Sequence, residues 1–209
     1  MSFSRNPLRP LFASIAAVLF ISAASLAQTA EQAPPQDFSQ VKIKNFGQMD
    51  ARFFRGAQPK EKDYKALADL GIKTVIDLQA EPKEYERRIV ESLGMRYVNI
   101  PMIEKTYPKA EHVAEFLKIV DDPETGKFFV HCAGGRHRTG SMGAVYRFEK
   151  YGWNFDQVYA EMKRFDFYTS WGHGDFKTFV QDYAKQFQAR NAAAAAPAGP
   201  AEAVFAGKN

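Results

Sequence analysis

One short stretch holds most of the chemistry this sequence offers. His131-Cys132-Ala133-Gly134-Gly135-Arg136-His137-Arg138-Thr139-Gly140 follows an apolar run at 127–131 and precedes a helical pattern that begins near Arg138. A glycine-bearing loop between a strand and a helix N-terminus turns several backbone N–H groups into one concavity. Such a concavity suits a phosphate or another tetrahedral oxyanion. The helix dipole adds positive potential there. Cys132, at the rim, shares that field, which favours the nucleophilic thiolate. Five residues separate Cys132 from Arg138. Wrapping them brings the guanidinium back over the anion, where it holds two oxygens at once. The Thr139 hydroxyl is placed to donate to the sulfur. A lone cysteine is more often a small buried hydrophobe. The glycines and His131 around Cys132 favour the reactive reading.

The elements that must position this loop alternate along the chain. Residues 52–55 form a short extended candidate that ends at Gly56. Tyr64, Leu67 and Ala68 share a helical face, and Gly71 closes it. Residues 74–78 read as a strand by their β-branched run. Tyr85, Ile89 and Leu93 repeat every four residues before Gly94, and residues 97–100 give a second strand. Val113, Phe116, Leu117 and Val120 fit one face of a helix that Asp121, Asp122 and Pro123 break. After the loop come three helical patterns. They carry Met142, Val145 and Tyr146, then Phe155, Val158, Tyr159 and Met162, then Phe176, Phe179, Val180 and Tyr183. Strand–helix alternation with a helical finish predicts an α/β domain: a central, mostly parallel sheet flanked by helices.

The ends lie outside this pattern. Arg5 and Arg9, an apolar stretch at 11–26 and Ser25-Leu26-Ala27 before Gln28 read as a cleaved secretory signal over residues 1–27. The alternative is an uncleaved membrane anchor, but the run falls short of the roughly 20 residues a spanning helix needs. A secreted or periplasmic mature chain follows, with no stable membrane insertion and a net charge of +2 once the two arginines are gone. Residues 28–37 form a linker, 38–190 the folded domain and 191–209 a disordered tail, in which nine of nineteen residues are alanine.

Composition narrows the function classes. With 209 residues, 45% hydrophobic and 25% charged, the chain is neither wholly disordered nor a multi-pass membrane protein. A single cysteine excludes a disulfide framework and a cysteine-cluster zinc site. Four histidines without metal-like spacing argue against a metal centre, and no cofactor is expected. A net charge of +4 is too mild to imply nucleic acid.

The string HCAGGRHRTG resembles the HCxxGxxR(S/T) signature of the cysteine-dependent protein tyrosine and dual-specificity phosphatase superfamily. The Arg136-His137-Arg138-Thr139-Gly140 variant is similar to the plant and fungal atypical dual-specificity phosphatases and their bacterial relatives. So are Asn45-Phe46-Gly47 with the stretch from Phe54 to Pro59, the stretch from Gly71 to Leu78, and Tyr159, Met162, Lys163, Arg164 and Phe165. The resemblance spans roughly residues 41–187. It implies a phosphatase-like fold of the dual-specificity type and a metal-free, two-step hydrolysis of phosphate esters or anhydrides. Cys132 would form a cysteinyl-phosphate, and Arg138 and the loop amides would hold the equatorial oxygens. Thr139 would help the sulfur leave. His131, Ala133, Gly134, Gly135, Arg136 and His137 would complete the phosphate site, His131 as support for the loop and the thiolate.

The family's acid is usually an aspartate about thirty residues before the cysteine. Glu104, 28 residues before Cys132, is the only carboxylate there. Asp121 and Asp122 belong at the far end of the third strand. Arg136 and His137 add positive charge, with Lys163 and Arg164 nearby, which suits a dense polyanion. The resemblance to atypical relatives with similar loops implies an inositol phosphate or pyrophosphate. Phosphotyrosine or another phosphoprotein is the generic alternative. A non-catalytic phosphate-binding module is the alternative to an enzyme, and the presence of both Cys132 and Arg138 argues against it. Arg55 either braces the loop or pairs with Asp77. The charge run at 81–88 reads as a solvated helix face. His173 and Asp175 border the site or, more economically, Asp175 caps the last helix.

Overall fold

The computed structural model describes residues 38–195. The leader and linker expected over 1–37, and the last part of the tail, lie outside the described residues. Five strands form one sheet in the order β1-β2-β5-β3-β4. They are β1 (Gly47–Gln48), β2 (Phe53–Ala57), β3 (Ile72–Gln79), β4 (Arg96–Met102) and β5 (Lys127–Cys132). β2, β5, β3 and β4 run parallel, and β1 pairs antiparallel with β2. β1 was not visible in the sequence, because two residues carry no periodicity. The helices are α1 (Tyr64–Asp69), α2 (Glu84–Ser92), α3 (Ala110–Asp121), α4 (His137–Tyr151), α5 (Phe155–Arg164) and α6 (Gly174–Ala195).

The sheet separates two apolar clusters, and strand alternation assigns each residue to one of them. Phe128 and Val130 of β5 belong to the larger cluster, with Phe116, Met142, Val145, Phe176 and Val180 from α3, α4 and α6. Phe129 faces the other way, toward Tyr64, Leu67 and Val90 of α1 and α2. Continuing the alternation sends His131 toward α2 and Cys132 toward α4. β5 is central, so both residues are buried before any functional demand is made of them.

Two expectations are corrected here. The charge run at 81–88 is not wholly a solvated face: Glu86 has no exposed surface, because α2 turns Glu86 and Val90, not Leu93, toward the sheet. The last helix continues to Ala195, five residues into the stretch expected to be disordered. Alanine carries the highest intrinsic helix propensity, which suits that extension. Asp121 and Asp122 do lie at the far end of β5, where Asp121 pairs with Lys150 and Asp122 accepts from the Glu124 N–H at 2.9 Å.

Candidate active site

The loop from Cys132 to Arg136 is held by its carbonyls. Ala133 O accepts from Gln58 N at 3.4 Å, Gly134 O from Asn45 Nδ2 at 3.0 Å and Gly135 O from Arg55 Nη2 at 2.6 Å. In a trans peptide the N–H of the next residue points opposite to the carbonyl. Three carbonyls tied outward therefore turn the N–H groups of Gly134, Gly135 and Arg136 inward. Arg55 braces the loop and does not pair with Asp77. It is buried, with its guanidinium 4.0 Å over the Phe165 ring. Gly135 has φ +63, and a Cβ there would sit 2.4 Å from the Gly56 backbone. Only glycine meets both conditions.

Cys132 is buried at the base of this ring and unpaired. Burial alone would push its thiol up. The Arg138 charge, the Thr139 hydroxyl and the backbone N–H groups of Thr139 and Arg136 outweigh it and bring the thiol below its ordinary value. Thr139 Oγ1 is buried, and its hydroxyl is the side-chain donor that favours the thiolate. Arg138 is steadied by donating from Nη1 to Met102 O, 3.1 Å away at the end of β4.

These groups open into a cavity of about 370 Å³, also lined by Lys44, Glu104, Arg136, His137 and His173. A neighbouring cavity of about 350 Å³ shares Ala133, Arg138 and Glu104. The structure thus brings Cys132, Arg138, Thr139 and Glu104 together with the loop residues. Ala133 and Gly134 line the cavity, and Gly135 shapes the loop behind it.

His131 is the exception. Its ring lies behind the loop on the α2 side of the sheet, so it does not touch a bound anion. Its Nε2 is 2.7 Å from Glu86 Oε1, and its Nδ1 is 3.8 Å from Asp77 Oδ1. Burial opposes the imidazolium, but Glu86, Asp77 and the Cys132 thiolate outweigh it and raise His131 above its ordinary value. Glu86 is lowered by the same partnership, against burial, and its Oε2 also accepts from Gln58 Nε2 at 3.1 Å. Asp77 is raised, mainly by burial, and accepts from the Tyr97 hydroxyl at 3.0 Å. The three side chains offer ligand atoms within 4.8 Å of one another. Zinc bonds of about 2.0–2.2 Å would hold a nitrogen and an oxygen ligand further apart than the His131–Glu86 contact. The trio is a buried charge network behind the nucleophile.

His137 is also corrected. It lines the cavity but brings no charge at neutral pH. Burial first, then His173 and Arg136, lower it to about 4. Its ring stacks on His173 with centroids 3.8 Å apart, and Nε2–H donates to Tyr168 O at 3.0 Å. Arg136 is partly neutralised by Asp166 at 3.4 Å. Lys163 and Arg164 stay exposed on α5, with Lys163 over the Tyr159 ring, and do not line the cavity. The cation that joins Arg136 and Arg138 is Lys44, which the sequence reading missed. Asp175 lies in the first turn of α6, and His173 just before it borders the cavity. A further cavity of about 440 Å³ lies elsewhere, between α3 and α6.

The family model described as DSP-PTPase phosphatase fused to NAD+ kinase matches residues 28–173. A probable tyrosine-protein phosphatase of Dictyostelium discoideum, DG1060, is 28% identical over 127 residues, covering 58% of this chain and 75% of the relative. The inositol diphosphatase DSP4 of Arabidopsis thaliana is 28% identical over 135 residues, covering 58% and 63%. The crystal structure of P. aeruginosa TpbA superposes with a TM-score of 0.60 at 23% identity, covering 71% of this chain and 91% of that one. That likeness speaks for the fold.

Proposed function

We propose a mechanism and a substrate class from one premise: this chain belongs to the DSP-PTPase phosphatases and is a cysteine-dependent phosphatase. The observation that carries the mechanism is the burial of a thiol, held below its ordinary value, at the base of a ring of inward N–H groups capped by Arg138. Cys132 Sγ attacks phosphorus, the S–P bond forms and the P–O bond to the leaving group breaks. Glu104, on the cavity wall, gives that oxygen its proton. The loop N–H groups and Arg138 hold the equatorial oxygens as charge develops on them. Water then attacks the cysteinyl-phosphate, and the Thr139 hydroxyl stabilises the departing thiolate. Glu86 and His131 support the loop from behind.

For the substrate we favour a compact, multiply phosphorylated molecule such as an inositol polyphosphate or pyrophosphate. Lys44, Arg136 and Arg138 put three cations on one cavity, with Glu104 the only lining carboxylate among the described residues. The Arabidopsis relative named an inositol diphosphatase fits that chemistry. Phosphotyrosine is the second reading, favoured by Tyr168 and Phe176 on the wall and by the Dictyostelium relative. A cleaved leader and extracytoplasmic location remain part of this reading, tested by N-terminal sequencing of the mature chain.

The deciding experiment is phosphate release by the full chain, without metal and in reductant, with Cys132→Ser as control. The panel holds an aryl phosphate, a phosphotyrosine peptide, phytate and an inositol pyrophosphate. Release lost in Cys132→Ser is expected, with the inositol compounds ranked first. A phosphotyrosine peptide ranked first selects the second reading. No release from any of the four, with retained phosphate binding, replaces the enzyme with a binding module.

A further inference from the structure

Glu104 is 62% exposed at its side chain, and an exposed glutamate has many rotamers. A proton donor must instead be held within reach of one oxygen. The structure supplies a holder from a segment distant in sequence. His173 is 4% exposed, and its Nε2 lies 3.7 Å from Glu104 Oε1. Its Nδ1 lies 3.0 Å from Ser170 O. A carbonyl only accepts, so Nδ1 carries a hydrogen, and any proton exchanged with Glu104 passes through Nε2. The ring is clamped flat against His137, which donates to Tyr168 O and is itself part of the cavity wall.

The two loops are joined in other ways. A Cβ added to Gly172 would lie 3.4 Å from Lys105 Cδ, so Lys105 lies directly against the turn that carries His173. Lys105 and Trp171 both have φ +60, a conformation that costs a non-glycine residue energy and persists only where its surroundings impose it. Tyr107 donates to Asp182 Oδ2 at 3.2 Å and packs edge-on against Phe179, so the far end of the Glu104 loop is fixed to α6.

We propose that His173 aims Glu104 at the leaving-group oxygen and passes it the proton that it delivers, so that the two side chains act as one acid–base pair. The proposal rests on the phosphatase reading above. In the first half-reaction the S–P bond forms, the P–O bond breaks and the pair's proton goes to the leaving oxygen. In the second, water attacks phosphorus, its proton returns to the pair and the thiolate departs. The pair ends as it began. A separation of 3.7 Å is longer than a hydrogen bond, as catalytic contacts commonly are before substrate closes them. His173 is a positioning residue here, because it reaches the substrate through Glu104.

The test compares two substrates of the full chain that differ in how much protonation the leaving group needs: p-nitrophenyl phosphate and phenyl phosphate. His173→Asn keeps a donor near Ser170 O and removes Nε2. We expect kcat/KM on phenyl phosphate, which reports only the steps through departure of the leaving group, to fall roughly 100-fold. On p-nitrophenyl phosphate kcat/KM should fall less than about threefold, while kcat, which includes hydrolysis of the shared cysteinyl-phosphate, is not used to discriminate. Glu104→Gln should give the same pattern, and the double variant should lose no more than either single one. Equal loss on both substrates, or losses that add, overturns the proposal. Should His173→Asn melt early, His173→Gln, which also lacks the imidazole, takes its place in the same comparison, and equal loss of kcat/KM on both substrates again overturns the proposal. A wild type that releases phosphate neither from these two substrates nor from the phosphotyrosine peptide, phytate and inositol pyrophosphate above overturns the phosphatase reading itself, a different result from an active enzyme with no leaving-group dependence.

Discussion

His131 Nε2 stands 2.7 Å from Glu86 Oε1, and neither side chain has any exposed surface. The pair sits directly behind the nucleophile, since Cys132 is the next residue on β5 and points to the opposite face of the sheet.

That relationship predicts the stability of Glu86→Gln. Removing one charge of a buried pair costs about 3 kcal/mol where both partners would be ionised. His131 is raised on folding, so its contribution is full below its unfolded value and fades as pH rises through its folded value. Glu86 is lowered, so its contribution is present above its unfolded value and fades as pH falls through its folded value. The gap between wild type and variant in urea denaturation should therefore be widest between roughly pH 4.3 and 6.5, the ordinary glutamate and histidine values, and narrow on both sides. A gap independent of pH would show that the imidazolium contributes nothing.

Thr139→Val removes the hydroxyl that favours the Cys132 thiolate and keeps the volume. Alkylation by iodoacetamide at pH 6 should slow roughly fivefold, the equivalent of one hydrogen bond of about 1 kcal/mol. The alkylation profile should shift to higher pH. An unshifted profile would mean that the hydroxyl does not reach the sulfur.

Gly135→Ala confronts a positive φ and a Cβ 2.4 Å from the Gly56 carbonyl at once. The expected cost is about 3 kcal/mol, the sum of backbone strain and a collision with backbone that cannot rotate away. Gly152→Ala, with φ +62 and nothing within 4 Å, is the control and should cost less. Equal midpoints in chemical denaturation would refute the contact.

His137 is held near 4, below the ordinary histidine value, so the unfolded chain binds the proton first. Stability should fall as pH drops from roughly 6.5 to about 4, where the loss is complete. His137→Asn should flatten that part of the profile in urea denaturation. An unchanged slope would place the acid sensitivity in other groups.

What was legible in the sequence was local. β5, the loop and α4 were readable because an apolar run, two glycines and a helical face lie within a short span of chain. The alternation of strands and helices gave the parallel sheet for the same reason. Glu86 was misread because Tyr85 and Ile89 suggest the buried side of α2, while its true partner, His131, is on another strand. The charge expected of His137 depends on burial and on a stacked His173, neither of which a loop motif records. Lys44 and His173 reach the cavity from opposite ends of the domain's chain, and only the packing of α6 and the segment before β1 brings them there.

The outward anchoring of the Ala133, Gly134 and Gly135 carbonyls has a consequence for ligand entry. The partners are Gln58, Asn45 and Arg55, all from one short segment of chain around β1 and β2. The loop is a templated surface, cast against a neighbouring strand, whose curvature is set when the sheet closes. An arriving phosphate meets donors already facing it and imposes no ordering cost on the backbone. Recognition of the anion is thereby tied to the folding of the first strands, and any loosening of that edge of the sheet would be felt as weaker capture at the nucleophile.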